Sequence, residues 1–210
     1  MKQNKQYWLI AAVFGSMWGI SEAVVGTMLH GLSHFLPITG LSGLVMFPIG
    51  FFFMHRAFVR TGSRNVIFQT AAIAAAIKLT GLALPFLTPM DTVNPAMAIL
   101  LESGAAFFIL SAEPEKTFNF ATVLTLTVTW KAIFVATQFL AGASGMAFAA
   151  PGVLVRFLVI DSIVNAGLIM AMAKIPADFR LLKSPLRPIH VSISVVAALV
   201  LNGLVQLISA

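Results

Sequence analysis

Seven stretches of mainly apolar residues, each close to 20 residues long and separated by short polar connections, leave this chain little choice of fold. A helix needs about 20 such residues to cross the hydrocarbon core of a bilayer. Backbone N–H and C=O groups in that layer find no water, and a helix satisfies them within its own segment. The expected fold class is therefore all-α: a polytopic helical membrane bundle of six to seven transmembrane helices, forming a single integral membrane domain over 1–210. Spans are expected at 7–32, 41–59, 66–86, 95–111, 118–141, 151–173 and 190–208, the last being the least polar. If that last helix lies flat or one segment is re-entrant, six spans remain. Composition agrees, with 59% hydrophobic and 10% charged residues, where a soluble domain carries about 25% charged.

The formal charge of +6 does not point to nucleic acid, because Lys and Arg gather at the ends of apolar runs. His55, Arg56, Arg60 and Arg64 follow span two, and Lys174, Arg180, Lys183 and Arg187 follow span six. The connections after spans one, three and five hold neither Lys nor Arg. Basic connections mark the cytoplasmic side, so a multi-pass protein of the cell membrane with a cytoplasmic N-terminus is expected. The first residues look like the start of a signal peptide. The apolar run nevertheless passes Glu22 without a small-residue cleavage site, and we read it as an uncleaved first span. There is no cysteine, which excludes disulfides and thiolate metal sites.

Ionisable groups inside spans are costly and point to a functional site. Glu22, Lys78, Glu102, Lys131 and Asp161 occur on five different spans. Each lies roughly 8–10 residues from the outer end of its span, a depth of about 12–15 Å at the helical rise. Arg156 lies one turn nearer the outside, and Asn165 shares span six with Asp161. Spans three and four carry Lys78, Pro95 and Glu102; spans five and six carry Lys131, Pro151 and Asp161. In each pair a lysine lies mid-helix, a proline opens the next helix and an acid follows, a layout consistent with helical-hairpin repeats. Two readings stay open. Lys78–Glu102 and Lys131–Asp161 are ion pairs that lock the bundle, or the layer lines a polar cavity open to the outer side.

His30 and His34 have the i, i+4 spacing that can place two imidazoles on one metal or a haem. Glu22 lies about 12 Å lower along the axis and cannot share that ion. A third ligand would have to come from another span. No nucleotide-binding loop, nucleophile elbow or His-Glu-x-x-His motif occurs, so no cofactor and no enzymatic activity is expected. On the first helix Ala11, Gly15 and Gly19 form a small-residue stripe that lets another helix approach closely. That helix belongs either to this chain or to a partner subunit.

The stretch Ala11 to Gly19, the run from Glu22 to His34 and the helix around Asn94 to Glu102 resemble the substrate-binding S-components of energy-coupling-factor (ECF) uptake transporters for vitamins and metals. The resemblance implies a scarce nutrient bound near the outer face, capped by the connection between the first two helices, here His34 to Gly40. It also implies that the small residues Ala11, Gly15 and Gly19 dock on a transmembrane coupling subunit driven by ATPases. The expected function is therefore uptake of a small polar nutrient. Glu22, Glu102 and Asp161 would meet its donor groups, with Lys78, Lys131, Arg156 and Asn165 meeting its acceptors. His30 and His34 would contact or gate it. The alternatives are a stand-alone proton-coupled transporter using Glu22 or Glu102, and a metal- or haem-dependent membrane enzyme using His30 and His34.

Overall fold

A computed structural model describes residues 2–35, 40–84, 89–112, 118–141, 148–175 and 186–209. The described elements are all helical. They are α1 (Lys2–Ser21), a π-helical turn (Glu22–Gly26), α2 (Thr27–Phe35), α3 (Leu41–Thr61), α4 (Asn65–Leu79) and a 3₁₀ turn (Thr80–Ala83). There follow α5 (Pro89–Ala112), α6 (Phe120–Leu140), α7 (Pro151–Val155), a second π-helical turn (Arg156–Ile160), α8 (Asp161–Ala173) and α9 (Pro188–Ser209). Together they supply seven helices long and apolar enough to cross a membrane. The chain is a polytopic helical membrane protein.

Helix boundaries follow local chemistry. Asn119 caps α6 by accepting from the Ala121 N–H at 2.8 Å. Gly62, at φ 65°, ends α3 in the left-handed conformation that glycine adopts without strain, and its N–H closes on the Phe58 carbonyl at 2.8 Å. Pro151 opens the sixth span as expected, but Pro95 does not open the fourth. That helix starts at Pro89, so Pro95 lies inside it and offers no N–H to the carbonyl of Asp91. Of the polar residues in these added turns, which in sequence look like a loop, Asn94 is paired across helices and Thr92 Oγ1 has no hydrogen-bond partner among the described residues. Thr92 is buried, and Asn94 accepts from Gln138 Nε2 of α6 at 2.9 Å.

Packing closes six spans into a ring in the order α1, α4, α5, α6, α8, α3, and α3 also reaches across to α4 and α5. The apolar core lies within this ring, built around Phe14, Trp18, Met46, Phe47, Phe51 and Met54. The seventh helix, α9, stands outside and leans on α1, the first π turn and the 3₁₀ turn. Asn202 fastens it, its Nδ2 donating to the Ile77 carbonyl (3.0 Å) and to Thr80 Oγ1 (3.1 Å), and Gln206 of the same helix orients Asn202 by donating to its Oδ1 at 3.1 Å. At the other end of the bundle Arg56 of α3 donates to the carbonyl of Ile175, just past α8. The ends of spans two and six, both followed by basic residues, therefore meet on one side.

Candidate functional site

Five costly side chains come together from five spans. Glu22 opens the first π turn, Lys78 lies in the last turn of α4, and Glu102 and Lys131 lie in the middle of α5 and α6. Asp161 begins α8 directly after the second π turn. Their relative exposures fall between 0% (Lys131) and 6% (Glu22, Lys78), so all five are buried. Asn165, one turn after Asp161, is buried as well and donates through Nδ2 to the Leu44 carbonyl of α3 at 2.8 Å.

The charges form a chain. Lys78 is within electrostatic reach of both Glu22 and the exposed Asp91. Glu22 and Glu102 are within electrostatic reach of each other, and Glu102 also faces Lys131. Lys131 in turn faces Asp161. Arg156 closes the series with an ion pair to Asp161, Nε to Oδ1 at 3.7 Å, its side chain 33% exposed. This corrects one expected pairing. Lys78 serves Glu22 rather than acting as a dedicated partner of Glu102, because α4 packs on α1 as well as on α5. Lys131 is the cation that Glu102 and Asp161 share.

The ammonium of Lys131 has further company. It donates to the carbonyl of Phe157 at 3.3 Å and lies 4.9 Å from the Phe157 ring centroid and 6.0 Å from that of Trp130, within cation–π range. The local fold explains the free carbonyl. In an α-helix the Asp161 N–H would bond to Phe157 O; in the π turn it bonds to Arg156 O instead. The Phe157 carbonyl is thus released toward α6. At the other π turn Gly26 makes room for the acid: a Cβ there would lie 2.6 Å from Glu22 Oε2.

Several buried polar atoms in this layer have no hydrogen-bond partner among the described residues. They are Glu102 Oε2, Asp161 Oδ2, Asn165 Oδ1, Ser162 Oγ and Trp130 Nε1. Acceptor oxygens predominate, so the arrangement is suited to meeting hydrogen-bond donors or positive charge. Phe157, Trp130 and Asp91 were not among the expected site residues. The π turn that exposes the Phe157 carbonyl has no marker in the sequence.

Two expectations fare differently. His30 and His34 sit on α2, and their side chains lie outside the described residues, as does 36–39 of the expected cap. The stripe of Ala11, Gly15 and Gly19 is buried inside the chain. A Cβ on Gly15 would meet the Thr70 carbonyl oxygen at 2.6 Å, and one on Gly19 would meet Ile77 at 3.0 Å. Helix α4 of the same chain occupies that face, which corrects its assignment as a partner-docking surface. Compared with known proteins, the chain matches no family model, no curated protein and no solved structure.

Proposed function

We propose that this membrane protein is a substrate-binding subunit for uptake of a small polar nutrient, working as the S-components of ECF transporters do. The observation that carries the reading is the buried polar layer, to which five spans contribute acids and bases, and in which acceptor oxygens on Glu102, Asp161 and Asn165 have no partner among the described residues. Groups this costly within a membrane bundle are characteristic of substrate and ion pathways. Glu102, Asp161 and Asn165 meet donor groups of the substrate. Lys78, Lys131 and Arg156 balance the layer and meet its acceptors. A coupling subunit with ATPases supplies the energy, and the N-terminus faces the cytoplasm, on the side of the basic connections.

Mass spectrometry of the purified protein tests this by identifying a co-purifying small molecule and its occupancy. Glu102→Gln and Glu22→Gln are expected to lower that occupancy, and exposed Arg64→Gln to leave it unchanged. Equal occupancy in all three refutes the assignment. A second reading, a stand-alone proton-coupled transporter, is favoured by two buried carboxyls, Glu22 and Glu102, within the membrane-spanning bundle. Uptake by liposomes containing this chain alone, without ATPases, would select it.

A further inference from the structure

The seventh span is the least polar of the chain, yet it carries Asn202 and Gln206, and both are buried. Polar side chains on a membrane helix are costly unless they bond to a neighbouring helix. Asn202 does so at one place. Its Nδ2 donates to the Ile77 carbonyl at 3.0 Å and to Thr80 Oγ1 at 3.1 Å, and Thr80 Oγ1 donates to the same carbonyl at 2.6 Å. The Ile77 carbonyl belongs to the peptide unit whose nitrogen is that of Lys78, and Thr80 opens the 3₁₀ turn that follows α4. The two anchor points therefore bracket Lys78, which is buried. Carbonyls at such a helix end need partners from outside the helical ladder. Gln206 fixes which end of the Asn202 amide faces α4, by donating to Oδ1 at 3.1 Å. Gly81 leaves room for this arrangement, since a Cβ there would run into the Gln206 side-chain amide. The same helix α9 also packs on the first π turn, which Glu22 opens. Among the described residues no comparable contact joins α9 to α6, which carries Lys131.

We propose that α9 is a positioning element of the polar layer, in which Asn202 sets the Ile77–Thr80 turn and so holds the Lys78 ammonium inside the bundle. Asn202 is a positioning residue that acts through the backbone on either side of Lys78. The inference goes beyond nutrient binding, because it concerns where Lys78 is held and not what it meets. A helix that was only attached to the bundle would lose adhesion with Asn202 and would single out no lysine.

N-hydroxysuccinimidyl acetate, a small uncharged reagent, reads the lysines one by one: it transfers its acetyl group to the neutral amine, and N-hydroxysuccinimide leaves with the amine proton. Protein in mild detergent micelles is pulse-labelled, and the extent at Lys78, Lys131 and the exposed Lys174 is mapped by mass spectrometry of its peptides. In the wild type Lys174 is expected to react fast, and Lys78 and Lys131 slowly. Losing two interhelical hydrogen bonds raises the population of the opened turn by about tenfold. Asn202→Leu is therefore expected to speed acetylation of Lys78 about tenfold and to leave Lys131 and Lys174 at wild-type rates. If the leucine variant does not fold, Asn202→Ala, which only removes atoms, replaces it. Lys78 as slow as in the wild type in a folded variant, or Lys131 quickened as much as Lys78, would overturn the proposal. Nutrient occupancy is measured alongside; occupancy that holds while Lys78 loosens counts against Lys78 as a substrate contact only, and the positioning role stands.

Discussion

Alanine at position 15 is the strictest test of how the first span is held. The new Cβ would lie 2.6 Å from the Thr70 carbonyl oxygen, 2.8 Å from Ile73 Cβ and 3.0 Å from Ile73 Cγ2. Carbon atoms pack at about 3.5–4.0 Å, so α1 and α4 must separate by roughly 1 Å. The obstacle is partly backbone, which no rotamer change can move aside. Overpacking of this kind costs about 1–3 kcal/mol, against a gain of about 0.5–1 kcal/mol from replacing glycine within a helix. Gly15→Ala is therefore expected to lose about 1–2 kcal/mol net. At Gly19 the neighbours are side-chain atoms of Ile77 alone, Cδ1 at 3.0 Å, Cγ2 at 3.1 Å and Cβ at 3.3 Å; with no backbone in the way, the loss should be smaller than at Gly15. Gly104 has nothing within 4 Å of its Cβ position, so Gly104→Ala should gain stability. Unfolding in mixed micelles of rising sodium dodecyl sulfate, followed by circular dichroism, ranks the three. A Gly15→Ala protein as stable as wild type, yet unable to hold a coupling subunit, would mean that α4 does not cover this face.

Two further predictions address the polar layer. Lys131→Met leaves Asp161 with Arg156 alone; breaking one side of a buried pair costs about 3–5 kcal/mol, and the remaining 3.7 Å contact should hold the loss to about 2–3 kcal/mol in the same micelle assay. Adding Asp161→Asn should recover at least half of that loss, and strictly additive effects would dismiss the coupling. Gly26→Ala pushes on the movable end of Glu22 rather than on backbone, so the protein should fold normally while nutrient occupancy drops as it does in Glu22→Gln. Wild-type occupancy would show that the position of this carboxylate does not matter.

The sequence made the spans legible because apolar length is a direct physical requirement of the bilayer, and each expected span has its helix. The start of the fourth span was misplaced where Asn94 found a partner across helices. Asp91, Thr92 and Asn94 look like a loop until Gln138 is placed beside Asn94. The buried charges were equally legible, since their cost in a membrane does not depend on the neighbours. Their partners were not, because a hairpin of consecutive spans suggests Lys78 with Glu102, while the order of helices in the ring brings α4 against α1. The same contact decides the small-residue stripe. Ala11, Gly15 and Gly19 announce a close helix, and nothing in their spacing says that it is the chain's own α4.

The two π turns explain how such a layer can exist inside a bundle at all. Both adjoin an acid of the layer, Glu22 at the start of the first and Asp161 at the end of the second. Irregular helical turns of this kind are often found at functional sites. In a membrane, backbone groups taken out of the helical ladder must be satisfied by the surrounding protein. Lys131 does this for Phe157 O, and the same bond gives a fully buried ammonium an oxygen ligand that no side chain supplies. Each defect removes the cost of the other: a straight α-helix at Arg156–Ile160 would leave Lys131 without this carbonyl, and an apolar residue at position 131 would leave the carbonyl without a donor. Among the described residues, Glu102 Oε2, Asp161 Oδ2 and Asn165 Oδ1 of the same layer have no hydrogen-bond partner. The irregular turn thus lets a backbone carbonyl share in offsetting the burial of Lys131, which its acid neighbours Glu102 and Asp161 would otherwise have to offset alone.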